Sequence, residues 1–101
     1  MLAVITCLCT AAVASADGLD PGRRAELDHL LRHDCGSCHG LQLEGGLGPA
    51  LTAFRMRKQN RDYLRAAIRE GIPGTAMPPW GPLLSNAEID YLVDRLRAET
   101  E

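Results

Sequence analysis

Cys35-Gly36-Ser37-Cys38-His39 is the stretch on which the reading of this 101-residue chain turns. Two thiols three positions apart at the end of a helix can each form a thioether to the same macrocycle. The adjoining imidazole then sits beneath the ring, where one nitrogen is free for iron. This C-x-x-C-H spacing is the pattern of c-type haem attachment. Two tethers beside the ligand make His39 effectively intramolecular, so Cys35 and Cys38 read as the covalent anchors of haem c and His39 as an axial iron ligand. Three other chemistries use similar residues. A dithiol redox motif needs a βαβ setting that this sequence lacks. A zinc site needs four ligands, and beyond Cys35, Cys38 and His39 the mature chain offers only His29 and His33, both upstream. A plain Cys35–Cys38 disulfide is the remaining possibility, and the haem reading is preferred over all three.

Upstream, Asp20-Pro21 is a helix start, with a carboxylate cap and proline at the first helical position. Leu27, Leu30, Leu31 and Asp34 follow at helical spacing, which predicts a helix over 21–34 leading into the motif. Residues 2–13 are apolar and uncharged and run into Ala14-Ser15-Ala16, then Asp17. That is the apolar region and cleavage pattern of a secretory signal peptide, although no Lys or Arg precedes it. The stretch is short for a membrane span. A cleaved leader over 1–16 and a domain over 17–101 are therefore expected, with periplasmic export, Cys7 and Cys9 leaving with the leader, and no stable membrane insertion.

Downstream, residues 40–53 carry Gly40, Gly45, Gly46, Gly48 and Pro49 and read as an irregular loop. A helix is predicted over 60–70, starting at Asn60, with Leu64, Ala67 and Ile68 on its apolar face and Gly71 at its end. Residues 71–82 hold Gly71, Pro73, Gly74, Pro78, Pro79, Gly81 and Pro82 and read as a second long loop. Ser85 and Glu88 make a capping box, and Ile89, Leu92, Val93 and Leu96 form the buried stripe of the last helix. No β-alternation is visible. The class is all-α, three to four helices joined by long Gly/Pro-rich loops.

Composition agrees with a cofactor. Eleven Lys+Arg against thirteen Asp+Glu give a formal charge of −2, which excludes the global basic bias of a nucleic-acid binder. Only Phe54, Tyr63, Trp80 and Tyr91 are aromatic, so a domain this small is short of core material, and small scaffolds need a staple. A covalently held haem supplies the missing apolar body.

A sixth iron ligand belongs far along the chain. Met56, Met77, His29 and His33 are the candidates, and Met77 is preferred because Gly74-Thr75-Ala76-Met77-Pro78-Pro79-Trp80 fixes a thioether in place without regular structure. Met56, among Arg55, Arg57 and Lys58, reads as packing, and His29 and His33 as surface residues of the approach helix. A metal-bound histidine gives its other N–H to an acceptor that fixes the ring. The Pro49 carbonyl is the candidate acceptor, in a segment whose glycines let backbone approach closely, and Leu51 a ring contact. Trp80 either donates to a haem propionate or caps the pocket.

These residues together resemble a class I cytochrome c: Cys-x-x-Cys-His, then Gly-Pro-x-Leu at 48–51, then Met-Pro-Pro-Trp at 77–80, then a terminal amphipathic helix. Asp34–Gly40, Gly45–Thr52 and Gly71–Trp80 are similar to the NirC-type cytochromes of denitrification gene clusters. The resemblance implies a small periplasmic carrier of one haem c, with thioethers at Cys35 and Cys38, axial ligation by His39 and Met77, and Pro49 as the partner of His39. It also implies single-electron transfer to cytochrome cd1 nitrite reductase, or, alternatively, an accessory role in maturation of that enzyme's d1 haem. An electron carrier rather than an enzyme is expected, and a monomer. A catalytic haem protein is a distant alternative, because no distal acid or base is visible.

Arg55, Arg57, Lys58, Arg61, Arg65 and Arg69 are opposed within their own stretch only by Asp62, while Glu88, Asp90, Asp94, Glu99 and Glu101 follow in the last segment. The basic stretch is either a solvated helix face or a docking patch that steers an acidic partner. The charge order along the chain predicts a dipolar molecule.

Overall fold

Helix starts in this chain are set by side chains that accept the first free backbone N–H groups. In the computed structural model, which describes residues 1–9 and 18–98, Asp20 accepts from Arg23 N–H at 2.7 Å and opens helix α1, Pro21–Leu30. The helical path does not stop at residue 34 as the periodicity suggests. It widens into a π-helical turn over Leu31–Cys35 and continues as α2, Gly36–His39, with Gly36 N–H bonded to Leu31 O. Nothing interrupts helical backbone angles until Gly40, at φ 93°. The residue that turns the backbone out of the helix is therefore Gly40, just after the motif.

The loop expected over 40–53 is shorter by one residue. A single turn, α3 (Ala53–Met56), starts on Thr52, whose hydroxyl accepts from Arg55 N–H at 3.4 Å. Met56 is buried in the core, the packing role its basic neighbours suggested. Helix α4 covers Arg61–Glu70, capped by the Asn60 side chain at 2.7 Å from Asp62 N–H and ended by Gly71. Helix α5, Asn86–Arg97, carries the expected capping box: Ser85 Oγ accepts from Glu88 N–H at 3.1 Å, and Glu88 Oε1 accepts from Ser85 N–H at 2.9 Å. No strand occurs among the described residues. Residues 1–9 are exposed and lie in no helix. The rest of the expected leader, residues 10–16, lies outside the described residues, as does the expected start of the mature domain at Asp17. No helix of the described residues is long and apolar enough to cross a membrane.

Helix α5 is the hub. It packs against α1, α3 and α4, and its stripe of Ile89, Leu92, Val93 and Leu96 meets Leu27 and Leu31 from the first helical body, Met56 from α3 and Leu64 from α4. Leu84 completes this core just before α5 begins. Each such side chain contributes about 1.5–3 kcal/mol when fully buried. Around this cluster Leu43, Leu51, Ile68 and Trp80 stay half-buried. Polypeptide alone does not cover them.

The expected charge separation is reduced by pairing between helices, with Glu99 and Glu101 lying outside the described residues. Helix α4 lies against α5, and the acids of α5 meet the bases of α4: Arg65 pairs with Asp90 and with Asp62, and Arg61 with Asp94. Spacing along one chain cannot reveal such pairing between helices. Arg57 turns instead to the Arg97 carbonyl at 2.7 Å, and Lys58 covers the Phe54 ring at 4.0 Å from its centroid. Surface pairs of this kind are worth about 0–1 kcal/mol each, so they trim the basic stretch more than they stabilise the fold.

Glu88 has a larger part than its capping role. Its second carboxylate oxygen accepts from Arg23 of α1, which ties the start of α1 to the start of α5. The Arg23 bond, and then the Ser85 N–H, hold the Glu88 carboxyl below the ordinary glutamate value of 4.5. Because the folded value is lowered, this stabilisation is present above 4.5 and is lost as pH falls through the folded value. Glu88→Gln is expected to lower the thermal midpoint at neutral pH, and the gap to the unmodified chain to close as the pH falls through the lowered Glu88 value. Parallel melting curves of the two proteins across that range check this.

Candidate functional site

The short α2 ends at His39 with carbonyls that have no partner inside the helix. The following loop supplies them. Gly45 N–H bonds to His39 O and Gly48 N–H to Cys38 O, both at 2.8 Å, while Leu43 N–H closes back on Gly40 O at 2.8 Å. The loop is thus folded beneath the end of the motif as its cap. That placement brings Pro49 O to 2.7 Å from His39 Nδ1. A carbonyl only accepts, so Nδ1 carries a proton, and in the neutral ring Nε2 is the nitrogen whose lone pair can bind a metal. The residue before Pro49 shows why the segment is built from glycine. A Cβ on Gly48 would stand 2.8 Å from both Cε1 and Nδ1 of His39, inside van der Waals contact.

Cys35 and Cys38 sit on consecutive turns of the same helical body, half-buried, with free thiols. Burial pushes the Cys35 thiol up to about 11, with the Asp34 charge adding to the effect. Cys35 is therefore a neutral thiol at physiological pH, packed against the core, and conversion to a thioether leaves it uncharged in the same place.

Met77 is positioned from a different helix. Gly71, at φ 68°, ends α4. Ile72 N–H reaches Met77 O at 3.3 Å, and Thr75 ties the turn from within: its hydroxyl donates to Ile72 O at 2.6 Å and accepts from Met77 N–H at 3.3 Å. A Cβ on Gly71 would fall 2.6 Å from Met77 O and 2.9 Å from Pro78 C, so only glycine lets the Met77 segment lie across the end of α4. Trp80 N–H and Gly81 N–H then bond to Ile68 O and Arg69 O at 2.9 and 3.0 Å, which completes the C-terminal cap of α4. The Trp80 ring packs half-buried on the core, as does Leu51.

The structure therefore joins His39, Gly48 and Pro49 into one unit and holds Met77 in another, with Cys35, Leu51 and Trp80 on the core between α5 and the loops. No backbone hydrogen bond links the two loops among the described residues. Gly71 and Thr75 are positioning residues that sequence reasoning missed; Gly71 was legible as a helix end but not as a close-approach site. The donor set fits a c-type haem: two thiols at attachment spacing, an imidazole with one nitrogen already engaged, a thioether on a backbone segment held by its own turn, and half-buried apolar flanks at Leu51, Ile68 and Trp80. Gly48→Ala is expected to push the imidazole off the Pro49 carbonyl and to destabilise the protein by about 1–3 kcal/mol. Denaturant unfolding compared with the parent chain measures that loss.

Comparison with known proteins agrees with this geometry. The family described as "Cytochrome C oxidase, cbb3-type, subunit III" matches residues 22–94. Cytochrome c55X of Stutzerimonas stutzeri is 60% identical over 74 residues, 73% of this chain and 66% of that protein. Cytochrome c55X of Pseudomonas aeruginosa is 56% identical over 77 residues, 65% of its length, so the chain spans just under two thirds of these two relatives. Cytochrome c55X of Paracoccus denitrificans is 46% identical over 92 residues, 90% of this chain and 89% of the relative. Among solved structures, the c-type cytochrome NirC superposes with TM-score 0.75 at 54% identity, covering 78% of this chain and 93% of that one. A segment of dihydro-heme d1 dehydrogenase NirN superposes with TM-score 0.67 at 32% identity, covering 72% of this chain and 16% of that one. Motif, helical fold and relatives converge: the chain belongs to the c-type cytochromes and is a NirC-type cytochrome c with one small cytochrome c fold built for covalently bound haem c.

Proposed function

We propose that this cytochrome is an exported, periplasmic single-electron carrier that delivers electrons to the cytochrome cd1 nitrite reductase of denitrification. In this reading residues 1–16 are a cleaved leader, Cys35 and Cys38 are the thioether anchors, and His39 Nε2 and Met77 Sδ are the axial ligands. The observation that carries it is the 2.7 Å contact between His39 Nδ1 and Pro49 O. It selects the tautomer that ligates and leaves the ring one orientation.

Bound haem c supplies a one-electron ferric/ferrous couple. With both His39 and Met77 bound to it, the iron would have no position left for a substrate, which suits a carrier rather than an enzyme. A thioether from Met77 with an imidazole from His39 favours the reduced state over harder ligand sets. The Thr75 and Pro78-Pro79 turn holds the Met77 backbone in place, so little would have to move when the charge changes. The neutral Pro49 carbonyl, in place of a carboxylate, adds no full negative charge to the imidazole. Leu51 and Trp80, half-buried against the core, would give the site an apolar wall.

The second reading rests on the likeness to NirN, a protein whose name describes dehydrogenation of a dihydro-haem d1. A small cytochrome of the same fold would serve that chemistry as the acceptor or donor of electrons during d1 haem maturation. The basic residues left outside ion pairs with α5, such as Arg55 and Lys58, favour an acidic redox partner in either case.

Met77→Ala is expected to retain covalent haem, lose the sulfur-to-iron charge-transfer band and lower the reduction potential. Persistence of the band would mean that another residue ligates. Mixing the reduced protein with purified nitrite reductase in a stopped-flow instrument is expected to give rapid oxidation that slows as salt is raised. A strain lacking the cytochrome is expected to keep a reductase loaded with d1 haem; a reductase lacking d1 in that strain, with slow oxidation in vitro, supports the maturation role instead.

A further inference from the structure

Two histidines upstream of the motif are not used by any role described so far. His29 closes the last turn of α1 and His33 lies four residues on, inside the π-helical turn. Both are exposed, and their rings lie against each other with centroids 4.1 Å apart and planes tilted by 39°. They line a surface groove of about 220 Å³ shared with Asp28, Arg32 and Arg95. We propose that His29 and His33 form a bidentate site for one divalent transition-metal ion of the copper, nickel or zinc kind, independent of the haem iron.

Spacing and position carry this. Side chains four apart in a helical stretch are neighbours on one face, and here the rings already share one edge of a groove wide enough for a hydrated ion. Two imidazoles are the donor set that copper, nickel and zinc prefer over the oxygen-seeking magnesium and calcium. The groove carries one carboxylate against two guanidinium groups, so an ion would be held by coordination to the imidazoles and not by charge attraction. Asp28 accepts from Arg95 Nε at 3.1 Å and from Tyr91 O–H at 2.9 Å, so Arg95 does not stand as an unbalanced positive charge beside the rings. Arg32 extends exposed from the neighbouring position, and the exposed Asp34 follows His33. No group of three or more His, Cys, Asp and Glu side chains suited to a metal forms among the described residues. The site therefore has two protein donors and completes its shell with water. It is an exchangeable site, unlike a closed four-ligand structural zinc. An ion held here bridges α1 to the widened turn that leads into Cys35, and so stiffens the approach to the haem anchors.

The test uses untagged haem-loaded protein titrated with copper(II) chloride, with bound copper counted by equilibrium dialysis and examined by electron paramagnetic resonance. One copper per chain beyond the iron is expected, with hyperfine structure from two imidazole nitrogens. His29→Gln and His33→Gln are each expected to weaken binding by about 100-fold through loss of chelation, with the haem absorption spectrum unchanged. Zinc(II) chloride is expected to raise the thermal midpoint of the parent protein and not of the double variant. Copper that binds equally well to the double variant overturns the proposal. So does a midpoint raised by inorganic phosphate but not by zinc, which would make the groove an anion site formed by Arg32 and Arg95.

Discussion

The hydrogen bond from His39 Nδ1 to Pro49 O is the constraint on which the rest of the site depends. It decides which ring nitrogen keeps its proton, fixes the plane of the imidazole, and presents the opposite nitrogen away from the loop. To place that carbonyl, the chain must turn back under α2, and the turn is made by bonding loop N–H groups to the last carbonyls of the helix. The backbone must also pass so near the ring that no side chain larger than hydrogen fits at position 48. Ligand orientation, loop path and residue choice are therefore one decision rather than three.

The same device appears twice. Helix α2 ends in a cap that carries Pro49, and helix α4 ends in a cap that carries Met77. In both places the unsatisfied carbonyls of a helix terminus are used to hold a loop whose own sequence is too rich in glycine and proline to hold itself. Two rigid bodies packed on α5 thereby present the two candidate iron donors, and the half-buried flanks of Leu51, Ile68 and Trp80 are left for the prosthetic group to cover. A chain with so few aromatic residues closes its interior by this route. The family membership explains why the gap in the polypeptide core is not a defect.

Much of this was legible in the residues. The attachment motif has a spacing that little else uses, the Ser85 and Glu88 box marks a helix start by its own chemistry, and the stripe of Ile89, Leu92, Val93 and Leu96 shows its buried face through its period. Pro49 was legible as a carbonyl near a close-approach glycine. What stayed hidden has physical causes. The π-helical turn leaves no trace in composition, because it changes the hydrogen-bond step and not the residue type. A helix of one turn, as at Ala53–Met56, is too short to show periodicity. The pairing of Arg61 and Arg65 with Asp94 and Asp90 is set by how α4 meets α5, which order along the chain does not encode. Thr75 escaped notice because one hydroxyl bonding to its neighbours has no spacing signature.

The π-helical turn has a further consequence for how this protein can change. Such a turn accommodates one residue more than the surrounding helix would, without breaking its axis. Each residue of an α-helix advances the side chains by about 100° around that axis. A lineage that lost a single residue between Leu31 and Cys35 would keep an unbroken helix, yet its sulfurs and imidazole would swing about a quarter of a turn away from α5 and the loops. The length of this segment thus sets the angular phase of the motif, and a tolerated deletion would have to come with a matching insertion on the same stretch.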